Sequence, residues 1–315
     1  FFDAARTAGF RLTVANPMYF LAEDASGARV EDIYRYVPYW KSKNGMDVAE
    51  TDSDKTLLPV MVSLFNAVPW HLKPVVYDDS NWIIFRRSVL FKQMKNKAIR
   101  DMAYLSLLPE ISSAADTDGG LFLYVHNELP HSPFGITASG HPVEGEFPDP
   151  ESNNFSNPRA AFYSAKKEID LLIDLFSWMK EAGVYDNTLV MIISDHGNSL
   201  EDNGIPKSAG GEGLFDGYDV SRARTLFLVK DFNTSGPLVT DTSSISSADV
   251  TAYLSEKAGV QYPGVEPAFP PAGETPRTYS VITGDWEDCL DRDTVTFRTY
   301  DVSGPITDAA SWKRR

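Results

Sequence analysis

Leu189-Val190-Met191-Ile192-Ile193-Ser194-Asp195-His196-Gly197 is the stretch that decides how this chain reads. Five consecutive apolar residues suit a strand buried on both faces, the kind found in sheets covered by helices on each side. The run then stops in a serine, an aspartate, a histidine and a glycine. A carboxylate beside an imidazole at a strand's carboxyl end can put one oxygen and one nitrogen ligand on a single divalent metal. An isolated Asp-His pair is usually a solvated turn. The strand before it gives this pair its weight, since a buried run rarely delivers two polar side chains without a partner. Gly197 is expected to let the backbone turn sharply there.

Immediately upstream, Tyr185-Asp186-Asn187-Thr188 reads as the turn that feeds this strand. Before it lies the clearest helix, from about Pro158 to Ala182. Asn157 can cap it, Pro158 suits its first position and Gly183 can stop it. Ile169, Leu172, Ile173, Phe176 and Met179 recur at the helical period. Asp170 reads as a surface partner for Lys166 or Lys167. Further upstream, Leu121 to Val125 follows Gly119-Gly120 as a second apolar run, and Leu226 to Val229 is a third. Phe10 to Ala15 reads as a strand after the Gly9 helix stop, and Ser247 to Ala258 as a helix ended by Gly259. Alternating helices and apolar runs predict an α/β fold, with a mostly parallel central sheet flanked by helices in three layers.

The second run leads into Tyr124-Val125-His126-Asn127-Glu128-Leu129-Pro130-His131-Ser132-Pro133-Phe134. Two histidines five apart are not helix neighbours, but they can converge from a strand end and its loop. They could ligate a metal or hold an anionic oxygen. Alternatively, His126 is a hydrogen-bonded core residue and His131 a surface one. Gly135 to Asn157 and Gly197 to Asp219 read as loops beyond strand ends, where sites form in open α/β sheets. Tyr262 to Pro276 reads as a connector. It leads to a strand-like piece at Thr294 to Val302 and a basic end, Lys313-Arg314-Arg315.

Composition sets the outer limits. The chain has 315 residues, 29 Lys and Arg against 44 Asp and Glu, and a net charge of −15. That balance argues against nucleic acid as a partner, because phosphate backbones attract basic surfaces. A single cysteine, Cys289, excludes an internal disulfide and a Cys-rich zinc site. Thr56 to Leu72 is uncharged but slightly short for a membrane span, and it holds Pro59, Pro69 and Asn66. It reads as a buried helix followed by a turn, with a membrane-facing patch as the other option. Trp70-His71 after Pro69 reads as packing at a helix end. The chain opens into a helix with no initiator Met or leader, so it reads as part of a longer protein.

In order and spacing, the segment from Leu121 to Gly197 resembles the sulfatase-like part of the alkaline phosphatase superfamily. Its most specific pieces are Tyr185-Asp186-Asn187-Thr188-Leu189-Val190 and Ser194-Asp195-His196-Gly197. The opening helix, Gly9 and strand resemble the start of that fold more loosely, as do Leu226 to Lys230 and Ser246 to Gly259. The resemblance implies an alkaline-phosphatase-like sandwich over residues 1–275, with 276–315 as a strand-containing extension packed on the same domain. It implies metal-assisted cleavage of a phosphate or sulfate ester through a covalent intermediate. Asp195 and His196 match the family's metal ligands, and the metal would be zinc or manganese, possibly calcium. His131 and His126 match the histidines that contact the transferred group or the leaving group.

The nucleophile and the first acidic ligand would precede Phe1, so this piece is expected to be inactive by itself. There is no Cys-x-Pro-x-Arg signature, and no histidine follows His196. Glu201, Asp202, Lys207, Glu212 and Asp216 could replace the missing later ligands or simply be solvated. Within that superfamily the chain is most similar to membrane-tethered sulfatase-like hydrolases and phosphoethanolamine or phosphoglycerol transferases. They imply an extracytoplasmic, periplasmic or envelope location, tethered to the inner membrane by a preceding region, and a phosphorylated or sulfated lipid or glycan substrate. The rivals are an inactive binding or regulatory module on the same fold and, less favoured, a cytosolic metal-dependent mutase.

Overall fold

Pro158 begins a helix because Asn157 precedes it. In the computed structural model the Asn157 side chain accepts from the Arg159 and Ala160 amides, and the helix runs Pro158–Glu181. The residues described are 2–16, 27–46, 60, 62–78, 81–82, 88–114, 119–143, 157–198, 220–241, 245–262, 264, 276–282 and 297–315. Within them the chain is α/β with a parallel sheet, as the alternation predicts. The strand Arg11–Ala15 lies between Arg29–Glu31 and Leu121–Val125. Thr13 pairs with Arg29 and Ala15 with Glu31 in parallel register. On its other side, the Arg11 amide reaches Gly120 and the His126 amide reaches Ala15. Gly119 is needed where this strand starts. Its φ is +94°, and a β-carbon there would lie 2.6 Å from the Gly9 carbonyl oxygen.

Contacts divide the chain into two units. One comprises residues 13–117 and 123–183. Its core is built on the helix Ser88–Ile111, whose Ala98, Ile99, Met102, Leu105 and Leu108 pack with Ile33, Val37, Trp40, Leu129 and Leu171. The helix Pro158–Glu181 lies against it with Ser164 and Leu171 buried. That face differs from the expected stripe: Ile169 and Ile173 are exposed, and Leu175 takes their place beside the core. Lys166 does reach Asp170, at 2.6 Å.

The other unit comprises residues 1–12, 118–122 and 184–315. Its strand Val190–Ile193 pairs antiparallel with Phe227–Lys230. A second sheet is antiparallel in the order Trp312–Arg314, Phe297–Val302, Arg277–Ile282, around buried Tyr300, Val302 and Trp312. The helix Val250–Ala258 ends on left-handed Gly259, as its sequence predicts.

Two expectations fail. The apolar runs are not covered on both faces: Leu121, Leu123, Ile193 and Leu228 are exposed. Sheets of two or three strands leave an outer face open where helices cover only one side. The segment before Leu72 is not a buried helix over its described part. Residues 62–67 are helical, yet Val62 and Leu64 are exposed and Trp70 is 83% exposed. No helix among the described residues is long and apolar enough to cross a membrane.

Candidate functional site

The Ser194-Asp195-His196-Gly197 segment leaves its strand held at both ends. The Ser194 amide donates to the Leu226 carbonyl at 3.1 Å, and the Leu226 amide returns a bond to Ser194 Oγ at 2.8 Å. The Gly197 amide donates to the Arg222 carbonyl at 2.8 Å. Gly197 is not among the glycines with positive φ, so its role is this donor rather than the sharp turn expected of it. Between the two anchors, the side chains of Asp195 and His196 are 89% and 40% exposed. They are not turned into the core.

The ring of His196 is oriented by its own loop. Its Nδ1 lies 2.7 Å from the Gly197 carbonyl oxygen. A carbonyl only accepts, so Nδ1 carries the hydrogen and Nε2 keeps a lone pair. That Nε2 lies 3.7 Å from Asp195 Oδ2, so an oxygen and a nitrogen donor are presented together. Ligating histidines commonly donate their second ring N–H to a backbone carbonyl in this way. The pair therefore fits one side of a divalent-metal site. No group of three His, Cys, Asp or Glu that could hold a metal occurs among the described residues. Glu201, Asp202, Lys207, Glu212 and Asp216 lie outside them, as does Cys289.

The turn before this strand is also locked. Lys230 Nζ donates to the carbonyls of Tyr185 and of Thr188, the latter at 2.9 Å, and sits 4.3 Å from the Tyr185 ring centroid. The Tyr-Asp-Asn-Thr motif is thus a structural clasp, in which one ammonium gathers the carbonyls of the turn and rests on the tyrosine ring.

His126 and His131 lie in the other unit. His126 follows its strand, and the side chain at the end of the neighbouring strand fixes it. Asn16 Nδ2 donates to the His126 carbonyl at 2.9 Å and lies 3.4 Å from His126 Nδ1. An amide nitrogen can only donate, so Nδ1 accepts and Nε2 bears the hydrogen. Asn16 does this with a φ of +53°, a left-handed conformation that asparagine tolerates. His131 Nδ1 faces two opposite groups, the Ser132 carbonyl oxygen at 2.5 Å and the Lys97 ammonium at 3.3 Å. Both histidines are thus hydrogen-bonded through Nδ1, His126 with its hydrogen on Nε2.

Beneath this loop runs an ionic network that sequence reading missed. Arg100 binds Asp101 through Nε at 2.6 Å and Nη2 at 3.0 Å, and reaches Glu128 at 2.8 Å. Lys97 binds Glu128 at 3.0 Å and lies 3.3 Å from His131 Nδ1. Burial alone would raise the Glu128 carboxyl, but hydrogen bonds from Arg100 and Lys97 bring it down to about 2. Asp101, wholly buried, is raised by that burial despite Arg100. Glu168, on the facing helix, is pushed up to about 7 by burial and by the charge of Asp101. A signal was available: Arg100 and Asp101 interrupt an otherwise apolar helical run from Ala98 to Leu105. Asn16 was legible as the first residue beyond a strand's carboxyl end.

A sulfatase family model matches residues 20–219. That match covers more than half of the chain and makes this a protein of the alkaline phosphatase superfamily. More particularly, the chain belongs to the sulfatase family, whose members hydrolyse phosphate or sulfate esters and are typically metal-dependent. Among solved structures the chain resembles a phosphonate monoester hydrolase of Agrobacterium radiobacter. The TM-score is 0.46 and the identity 14%, over 99% of this chain and 72% of that one. No curated protein gives a significant match.

Proposed function

We propose that the protein is a metal-dependent hydrolase or transferase that cleaves a phosphate or sulfate ester of an envelope lipid or glycan through a covalent intermediate. The observation that carries this reading is the paired display of Asp195 and His196, with Nε2 of His196 left free by the Gly197 carbonyl. Asp195 and Nε2 of His196 would hold the cation. The donor set suits zinc or manganese, with calcium as a further option. A bound cation polarises ester oxygens and lowers the pKa of an attacking hydroxyl. His126, with its hydrogen on Nε2, would donate to an oxygen of the transferred group as charge develops there. His131, the second imidazole of the same loop, would take up the proton of the incoming alcohol or water. The resemblance to tethered transferases supports a nucleophile preceding Phe1 and an extracytoplasmic setting at the membrane.

Calorimetric titration of zinc and manganese, alongside a screen of phosphodiesters and sulfate esters, tests this on the complete protein. Metal binding that is lost in Asp195→Ala and His196→Ala is expected. Affinity indifferent to both substitutions would overturn the metal assignment, and absence of any binding would favour the inactive binding module.

A further inference from the structure

The loop carrying His126 and His131 is tied to the helix Ser88–Ile111 through one buried carboxylate. Asp101 Oδ2 accepts the Glu128 amide at 2.9 Å, and the Asp101 carbonyl lies 3.5 Å from Asn127 Nδ2. Asn127 Oδ1 accepts the Leu129 amide at 2.8 Å, and the Glu128 carbonyl accepts the His131 amide at 3.0 Å. The Glu128 side chain returns to the same helix, bound by Arg100 and Lys97. Asn127 and Glu128 thus reach Asp101 directly, Leu129 is tied through Asn127, and His131 is reached through Glu128. At the loop's other end, Asn16 holds His126.

Such a network is a poor way to stabilise a wall. Taking Arg100 and Asp101 out of water costs more than well-packed apolar side chains would, and the pair returns little net stability. What it offers is direction, because a bidentate guanidinium fixes a carboxylate in one orientation. We propose that Asp101 is a positioning residue for the histidine loop: held by Arg100, its carboxylate fixes the Glu128 amide and so sets where His131 presents its ring. This rests on the reading of the two histidines as groups facing the transferred phosphate or sulfate. Asp101 touches no substrate and acts through Glu128.

The test uses the complete protein with Asp101→Ala and Asp101→Asn. Amide hydrogen exchange, ring-nitrogen NMR of the histidines and kcat against KM are read together. In folded Asp101→Ala, the Glu128 and His131 amides should exchange at least tenfold faster. The His131 ring-nitrogen signals should shift, because Nδ1 changes its contacts with the Lys97 ammonium and the Ser132 carbonyl. kcat should fall about tenfold with KM little changed. Asp101→Asn, which keeps an acceptor oxygen for the Glu128 amide, should restore most of each signal. Unchanged exchange and ring signals in folded Asp101→Ala would overturn the proposal. Should that variant fail to fold, Glu128→Gln carries the same readout, with a smaller shift expected and an unchanged His131 ring again overturning it. If the wild-type protein binds no metal and cleaves no ester while the exchange and ring signals still respond, the functional reading fails and the clamp stands.

Discussion

The Asp195-His196 turn and the His126–His131 loop, one in each unit, are built by opposite means. Asp195 and His196 are displayed by backbone hydrogen bonds on either side of them, in an exposed turn whose geometry is set within a few residues and one returning strand. The loop of His126 and His131 is held by buried charge from a helix some thirty residues earlier in the chain. A segment made from backbone anchors tolerates change around it. One made from buried ions depends on every member, because removing a partner leaves an uncompensated charge.

That contrast can be broken in four places. Arg100→Met leaves Asp101 buried without its guanidinium. Chemical denaturation should show a loss of about 3–5 kcal/mol, the usual cost of orphaning one ion of a buried pair. A loss under about 1 kcal/mol would mean that the network is an ornament of the loop rather than its support.

Glu168 gives the network a pH signature. Its carboxyl stands near 7 in the folded protein against an ordinary 4.5. A raised carboxyl is neutral in both states at low pH and resists ionising only when folded. Its stability contribution is therefore intact below 4.5 and is lost as pH rises toward 7. Glu168→Gln should abolish that decline, worth about 3 kcal/mol from the size of the shift. Glu128 runs the other way. Held near 2, it should lose its contribution only as pH falls from 4.5 toward 2. Thermal melts from pH 3 to pH 8 separate the two arms.

On the backbone-built side, Asp195→Ala should weaken metal binding on the order of a hundredfold, equivalent to about 2.8 kcal/mol, while leaving the melting temperature nearly unchanged. A large drop in stability would show that the turn is less independent of its side chains than its anchors suggest. The smallest effect is expected at a helix cap. Asn157→Ala removes the cap of the helix Pro158–Glu181 and should cost about 1 kcal/mol, with no change in metal binding.

Sequence patterns found the elements well and their surroundings poorly. The strand Leu121–Val125 has the bounds its apolar run gives, and the helix from Pro158 starts where its cap and proline place it. Asp195 and His196 stand at the end of their strand, as the apolar run before them requires. The burial of those elements was not legible. Ile169 and Ile173 share the helical period with core residues yet face outward, because period identifies a face but not what covers it. Trp70 was read as packing and is exposed for the same reason. Asp101 was passed over because a lone acid in a helix usually faces water, and only the approach of Glu128 shows otherwise.

Order along the chain therefore determined the family and the element boundaries, since caps, stops, strand ends and motif spacing are local facts written in neighbouring side chains. Tertiary structure alone decided which ring nitrogen of His126 bears the hydrogen, which charges are buried and which carboxyls are shifted. Those depend on groups far apart in sequence meeting at hydrogen-bond distance, where the cost of removing charge from water makes each partner's position decisive.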